Sequence, residues 1–172
     1  MRIVAGSRRG HRIEAPKGTA TRPTSDRVRE SAFNLIGPVD GASVLDLFAG
    51  SGAMGLEALS RGAASCVFVE STRDACRAIG ANLDRLRLEA TVLCQDALRA
   101  LAAERGAYDL VLCDPPYDYD RNAELASQLT RVLGDGGLLV YETAARDEPE
   151  VAGLAVRTSR RYGSARLTLF ER

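Results

Sequence analysis

A chain of 172 residues, 45% of them hydrophobic, is long enough for one domain with a sizeable core and too short for a second large one. Its 23 basic and 23 acidic residues balance to a formal net charge of zero. No apolar run approaches the roughly 20 residues of a membrane span, and the N-terminus lacks a signal-peptide apolar region. We therefore expect a cytoplasmic protein.

The N-terminal segment predicts a short basic hairpin. Residues 2–5 and 11–15 flank the run Gly6-Ser7-Arg8-Arg9-Gly10, so an arginine-bearing tip could enter folded RNA. Residues 1–30 hold eight basic and three acidic residues, and residues 157–172 hold five basic and one acidic, so both ends are basic around an acidic body. This asymmetry favours a bound polyanion. The expected RNA-contacting residues are Arg2, Arg8, Arg9, Arg12, Arg27, Arg29 and Arg161. Because 22 of the 23 basic residues are arginine, a compositional bias with solvated side chains is the alternative.

A helix is predicted from Ser25 to Ile36, with Thr24 as its cap. Its spacing places an apolar face inward, made of Val28, Ala32, Leu35 and Ile36. Three cations are then left for solvent, a cofactor carboxylate or RNA: Arg22, Arg27 and Arg29.

The segment 44–55 predicts a strand, a glycine-rich turn and the start of a helix. Gly50, Gly52 and Gly55 formally satisfy G-x-G-x-x-G, a pattern of dinucleotide sites. A side chain at Gly50 or Gly52 would hold the backbone away from a ligand over the turn. The next strand ends at Glu70, about 20 residues past Gly50, where a carboxylate binds ribose hydroxyls. A dinucleotide and S-adenosylmethionine both fit Glu70.

Asp46 distinguishes between a site for a dinucleotide and a site for S-adenosylmethionine. It lies where a dinucleotide would place its pyrophosphate, and a fixed negative charge opposes a phosphate at a helix N-terminus. S-adenosylmethionine instead brings an ammonium and a sulfonium, which acids at Asp46 and Glu70 suit better. A third acid, Asp96, could accept from an adenine amino group, with the Ala97 N–H nearby; alternatively, Asp96 caps the following helix.

The run Asp114-Pro115-Pro116-Tyr117 ends an apolar strand and predicts chemistry on an amino group. The strand delivers Asp114 to its carboxyl end, where open α/β sheets bind ligands. Two prolines have no N–H to donate, so they end the strand in a rigid turn. The Asp114 side chain and the Pro115 carbonyl can accept from an exocyclic NH2 while Tyr117 stacks on the base. A proline-stiffened surface loop is the alternative.

The alternation of elements predicts a parallel α/β sheet with right-handed crossovers. Strands are expected near 43–47, 65–70, 90–95, 108–113 and 137–143, and helices near 53–61, 72–87, 96–104 and 121–133. No helix separates the last two strands, which predicts an antiparallel pair near 153–159 and 165–170. Residues 134–137 are expected to form a turn.

The four cysteines form no C-x-x-C pair, so neither a metal site nor a disulfide is expected. Cys113 adjoins the Asp-Pro-Pro-Tyr turn, where it could be the nucleophile of a pyrimidine carbon-5 methyltransferase. Strand alternation points it away from Asp114, which favours a structural role.

In this order the motifs resemble class I, Rossmann-like S-adenosylmethionine-dependent methyltransferases. Within that class the chain resembles the RsmD family of 16S ribosomal RNA guanine-N2 methyltransferases, through Met1–Gly6, Arg22–Glu30, Asp46–Gly52, Asp114–Tyr117 and Arg161–Gly163. The resemblance implies a mostly parallel seven-stranded sheet with a C-terminal antiparallel hairpin. It also implies a basic hairpin extension over residues 1–20 and a methyltransferase domain over residues 21–172.

The same resemblance implies site residues and roles. S-adenosylmethionine would be bound by Arg22, Thr24, Asp46, Phe48, Ala49, Gly50, Ser51, Gly52, Glu70, Asp96 and Ala97. Catalysis would fall to Asp114, Pro115, Pro116 and Tyr117. The methyl group would pass directly to guanine N2, with no metal and no covalent enzyme intermediate. The expected substrate is ribosomal RNA within a small-subunit particle, and the expected state is a monomer.

Three alternatives stay open at this point. An adenine-N6 methyltransferase acting on RNA or DNA would use the same tetrad. A nucleotide-cofactor oxidoreductase would bind NAD at the glycine turn. A binding protein that keeps the fold would bind RNA without turnover.

Overall fold

A computed structural model describes residues 1–16 and 26–172. Within them, a single seven-stranded sheet is flanked by helices on both faces. The elements in chain order are α1 (Asp26–Ile36), β1 (Ser43–Leu47), α2 (Ala53–Ser60), β2 (Ser65–Glu70), α3 (Arg73–Leu86), β3 (Thr91–Cys94), α4 (Ala97–Ala103), β4 (Tyr108–Cys113), α5 (Asn122–Val132), β5 (Leu133–Ala144), β6 (Ala155–Tyr162) and β7 (Ala165–Glu171).

The strand order is β3-β2-β1-β4-β5-β7-β6. The first five strands of this order are parallel, and β7 and β6 are antiparallel additions at one edge. The chain winds outward from β1 to β3 and then returns to place β4 on the other side of β1. The ends of β1 and β4 therefore flank the switch point where such sheets bind ligands. The predicted fold class is confirmed.

Strand alternation divides the core into two layers. In β1, Val44 and Asp46 face the side covered by α2 and α3, while Leu45 and Leu47 face the side covered by α4 and α5. Both faces of the central strands are buried, which explains their nearly continuous apolar sequences. Asp46 is thus a carboxylate placed by alternation among apolar side chains.

The largest difference from the predicted elements lies in β5. Residues 134–137, where a turn was predicted, lie within β5. The strand pairing is irregular there, because Tyr108 pairs with Leu133 while Leu110 pairs with Leu138. A β-carbon at Gly137 would lie 2.9 Å from the Tyr108 carbonyl oxygen. Glycine therefore allows β5 to approach β4 closely at this point.

The N-terminal hairpin is confirmed, although only one antiparallel bridge, Arg2 to Arg12, forms in it. The backbone N–H groups of Ile3 and Ile13 donate to the carbonyls of His11 and Met1. Both isoleucines are buried in the layer that contains α2 and α3, so the hairpin is part of the core. The predicted boundary between residues 20 and 21 lies outside the described residues. No described helix is both long and apolar enough to cross a bilayer.

Candidate active site

A small cavity opens at the carboxyl ends of β1, β4 and β5. Its volume is about 30 Å³, and apolar side chains such as Met54 and Leu167 form much of its wall. Three carboxylates also line it: Asp46, Asp114 and Glu142. Among the described residues, no group of three or more acidic, cysteine or histidine side chains is arranged to hold a metal ion. The cavity is therefore a concave, largely apolar site with negative charge.

Asp114 stands at the mouth of this cavity, directly after β4. Asp114 is exposed to solvent, and it also lines the cavity. Burial by surrounding protein atoms raises the pKa of Asp114 well above its ordinary value, and the nearby charges of Glu142 and Asp46 raise it further. Asp114 thus binds a proton more readily than an ordinary aspartate does.

The two prolines shape the turn as predicted. Pro115 is buried and Pro116 is exposed, and the Tyr119 N–H donates to the Pro116 carbonyl over 2.9 Å. Tyr117 is 50% exposed, next to the cavity-lining Asp114 turn. Its hydroxyl donates to Glu142 Oε1 over 3.4 Å. The turn therefore presents a carboxylate and an aromatic ring together.

Glu142 is a site residue that the sequence predictions missed. It follows the apolar stretch 138–141 of β5, and β5 pairs with β4 so that Cys113 lies beside Tyr141. Burial raises the pKa of the Glu142 carboxyl, although the hydrogen bond from Tyr117 opposes that shift. The available signal was its position, since an acid at the end of an apolar strand is the pattern that identified Asp46, Glu70 and Asp114.

Asp46 lies beneath the glycine turn and is only 4% exposed. Its Oδ2 accepts from the Gly55 N–H over 2.9 Å, at the N-terminus of α2. Burial raises the pKa of Asp46 to about 7; the Gly55 hydrogen bond lowers it, and the charge of Glu70 raises it. A dinucleotide would need this helix terminus for its pyrophosphate. The protein's own carboxylate occupies it, which argues against the oxidoreductase alternative.

The glycine turn is held in left-handed backbone conformations, with φ of 59° at Phe48, 55° at Gly50 and 76° at Gly52. A β-carbon at Gly50 would have no described atom closer than 4.0 Å, so space is open over that residue. A β-carbon at Gly52 would instead lie 3.1 Å from Ile79. Gly52 is thus required for its conformation and for core packing, and the sequence argument that it clears space for a ligand is wrong.

The neighbouring turn residues are fixed by backbone contacts. The Ala49 N–H donates to the Val69 carbonyl, and the Ser51 carbonyl accepts from the Asn82 amide. Glu70 braces the turn from β2, since its two oxygens accept from the N–H groups of Gly50 at 2.9 Å and of Thr72 at 2.7 Å. Glu70 therefore lies at the glycine turn, as predicted.

Asp96 caps α4, which is the alternative role predicted for it. Its Oδ1 accepts from the Arg99 N–H over 3.0 Å at the start of α4, and Ala97 is buried in the first turn. A carboxylate has lone pairs for further hydrogen bonds, so this cap is compatible with a ligand contact.

Tyr119 is a second site residue that the sequence predictions missed. Its ring packs edge-on against Phe48, with ring centroids 5.2 Å apart. Its hydroxyl is buried and has no hydrogen-bond partner within the described part of the chain. Burial raises the pKa of Tyr119, and the charge of Asp96 contributes. A buried hydroxyl without a partner, on a ring that packs against Phe48, is suited to a polar ligand group.

Cys113 is buried at the end of β4, where it belongs to the layer of α4 and α5. Burial raises the pKa of its thiol well above the ordinary value, and the charges of Asp114 and Asp46 act in the same direction. A thiol of this kind is a poor nucleophile at neutral pH. The environment thus fits the structural role predicted for Cys113.

Two of the arginines expected to contact RNA have their guanidinium groups engaged within the protein. Arg29 is completely buried, where it pairs with Glu57 at 3.2 Å and with Asp26 at 2.9 Å, so its predicted availability to solvent or RNA is wrong. The physical reason is that α1 presents Arg29, with Phe33, to the hairpin and α2. Arg8 donates to the carbonyls of Leu86 at 2.5 Å and Arg87 at 3.3 Å, at the end of α3.

The other expected RNA contacts are exposed: Arg2, Arg9, Arg12, Arg27 and Arg161. In the strand register, Arg161 of β6 lies opposite Arg166 of β7, and Arg166 lies opposite Thr143 of β5. Arg161 is therefore on the sheet face opposite the cavity. Arg22 and Thr24 lie outside the described residues.

Comparison with known proteins places this geometry in a family. The family model described as "Conserved hypothetical protein 95" matches residues 1–171. The putative rRNA methyltransferase YlbH of Bacillus subtilis is 40% identical over 182 residues, covering 100% of this chain and 99% of that protein. The ribosomal RNA small subunit methyltransferase D of Escherichia coli K12 is 39% identical over 153 residues, covering 88% and 75% of the two chains.

Similarity to a solved structure agrees with this relation. The putative methyltransferase yhhF from Escherichia coli superposes with a TM-score of 0.91 at 35% identity, covering 100% of this chain and 97% of that one. The chain therefore belongs to the Conserved hypothetical protein 95 family, the RsmD family that its motifs resemble.

Proposed function

We propose that this protein transfers a methyl group from S-adenosylmethionine to the exocyclic N2 of a guanine in 16S ribosomal RNA. The observation that carries the proposal is the cavity at the sheet switch point, where Asp114 of a rigid Pro-Pro turn meets the buried acid Asp46. The names of the relatives support ribosomal RNA as substrate, and those named methyltransferase D support the small subunit.

The residues around the glycine turn fit the chemistry of the cofactor. Asp46 and Glu70 offer negative charge for the cofactor's cationic part and acceptors for its ribose hydroxyls. The unpaired Tyr119 hydroxyl and the edge-on Phe48 ring suit the adenosine end, near Asp96. When bound, S-adenosylmethionine supplies a methyl carbon activated by the sulfonium.

The catalytic turn positions the acceptor. The Asp114 carboxylate and the Pro115 carbonyl accept the two N–H hydrogens of the guanine amino group, and Tyr117 stacks on the ring. Fixing the nitrogen in line with the methyl group can lower the barrier by up to roughly 7–11 kcal/mol. Because the pKa of Asp114 is raised, its carboxylate can take the proton that the nitrogen releases after transfer.

The protein surface fits a preassembled target. One small hairpin gives little area for reading an RNA sequence, so we place recognition within a small-subunit particle in the cytoplasm, with the enzyme acting as a monomer. Adenine-N6 methylation would need the same acceptors, and the product is what distinguishes the two reactions.

The test is methyl transfer from radiolabelled S-adenosylmethionine to small ribosomal subunits from cells that lack this protein. Nuclease digestion then identifies the labelled nucleoside. We expect label in N2-methylguanosine. Label in N6-methyladenosine would overturn the substrate, and no label with subunits or free ribosomal RNA would overturn the activity.

A further inference from the structure

Arg160, on the edge strand β6, lies in the same cross-strand row of residues as Glu142, which lines the cavity. Glu142 of β5 pairs with Leu167 of β7, and Leu167 pairs with Arg160 of β6. Residues directly opposite in antiparallel ladders point to the same face. Glu142 and Leu167 both line the cavity, so Arg160 lies on the cavity side of the sheet.

The spacing of the strands sets the distance. Neighbouring strands lie roughly 4.8 Å apart, so the backbone of Arg160 is about 10 Å from that of Glu142. Arg160 is exposed, and its Nη1 donates to the Ser159 carbonyl over 3.2 Å. Within the described residues no carboxylate pairs with it, whereas Arg166 on β7 pairs with Glu148 at 3.0 Å.

The charges of the cavity and of Arg160 are opposite in sign. The interior carries Asp46, Asp114 and Glu142, which suits cationic or N–H-donating groups. An exposed guanidinium on the same face, two strands from Glu142, instead suits an anion. A base that enters the cavity keeps its sugar-phosphate backbone outside, so phosphates flank the position that the base occupies.

On this basis, and resting on the proposed function, we infer that Arg160 binds a backbone phosphate of the RNA strand whose base enters the cavity. The contact positions the strand and carries no sequence information. Arg160 is thus a substrate-positioning residue, and it touches neither the cofactor nor the transferred methyl group.

A different role for the same charge is protection of the sheet edge. Charged side chains on an edge strand prevent pairing with a second chain. The substitution Arg160→Glu separates the two roles, since glutamate keeps the edge charged but repels a phosphate. Arg105→Gln is the matched control, because Arg105 is also exposed and also donates to a backbone carbonyl, that of Ala102, but lies before β4 at the amino edge of the sheet, away from the cavity.

The experiment measures binding of small ribosomal subunits over a series of salt concentrations, together with methyl-transfer kinetics on the same particles. Loss of one phosphate contact makes the slope of log affinity against log salt shallower by about 0.7–0.9. We expect that change for Arg160→Gln, with a raised KM for RNA, an unchanged kcat and unchanged S-adenosylmethionine affinity. Arg160→Lys should keep most of the slope, and Arg160→Glu should lose more affinity while staying monodisperse.

The inference is overturned if Arg160→Gln leaves the slope unchanged or changes it no more than Arg105→Gln does. Aggregation of Arg160→Gln with rescue by Arg160→Glu would assign the residue to edge protection instead. RNA binding is measured without turnover, so an inactive wild-type enzyme would overturn the proposed function while the slope still decides the role of Arg160.

Discussion

Two buried carboxylates on the same side of the sheet have opposite surroundings. Glu57 of α2 is 0% exposed, and its oxygens accept from the N–H groups of Val4 and Ala5 at 2.8 and 2.9 Å. Arg29 and Arg61 pair with it at 3.2 and 2.9 Å. Asp46 is 4% exposed, and its hydrogen bond from Gly55 is accompanied by two further acids at the cavity and no described cation.

The difference indicates that Glu57 stabilises the fold, whereas Asp46 belongs to the candidate ligand site. A buried charge surrounded by donors and cations is compensated, and Glu57 uses that compensation to fix the hairpin and α1 on α2. Clustered acids without a cation have raised pKa values, which cost folding free energy and persist where a ligand uses them. The comparison predicts that the two regions respond oppositely to substitution.

The largest effect is expected at the catalytic turn. Asp114→Ala should reduce methyl transfer by about 10²–10⁴-fold, because the acceptor that orients the amino group and takes its proton is lost. S-adenosylmethionine affinity, measured by calorimetry, should stay nearly unchanged. Asp118→Ala, in the same exposed loop, is the control and should keep activity. Loss of cofactor binding along with turnover would make Asp114 structural.

The next effect concerns stability. Glu57→Ala leaves Arg29 buried without this partner, which should lower the free energy of unfolding by about 3–5 kcal/mol. Urea denaturation measures this, and Asp74→Ala removes the exposed pair with Arg77 as a control, at a cost of about 0–1 kcal/mol. Equal costs for the two variants would contradict the role of Glu57 as the buried partner of Arg29.

Asp46→Asn should have the opposite effect on stability. Because folding raises the pKa of Asp46 to about 7, its contribution to stability is full below the unfolded pKa and is lost as the pH rises through about 7. The variant lacks this loss, so its Tm relative to wild type should rise between about pH 4 and about pH 7 and level off above that. Its S-adenosylmethionine affinity should fall, whereas wild-type affinity weakens only as the pH drops below about 7. A parallel pH dependence of both Tm values would refute this.

The smallest effect is expected at Glu142. Glu142→Gln removes a negative charge that raises the pKa of Asp114, so the acid limb of the pH profile of kcat/KM should move to lower pH. Tyr117→Phe removes the hydroxyl that donates to Glu142 but keeps the carboxyl, and should move that limb less than Glu142→Gln does. A limb that Glu142→Gln does not move would remove Glu142 from the proton chemistry.

The sequence alone determined the elements and the acids at their ends. Strand alternation, glycine turns and the Pro-Pro run are local signals, because each depends on the conformations available to a few neighbouring residues. They predicted β1, β2 and β4 with their bounds, and they placed Asp46, Glu70 and Asp114 at the ends of strands.

Only the tertiary structure decided which charges are available. Arg29 and Arg27 look alike in the sequence, yet Arg29 is buried against Glu57 while Arg27 is exposed. Glu142 and Arg160 acquired their positions through pairing with β4 and β7. Long-range pairing sets the burial and the charged neighbours of a side chain, and these determine whether a charged residue is compensated within the fold or remains available to a ligand.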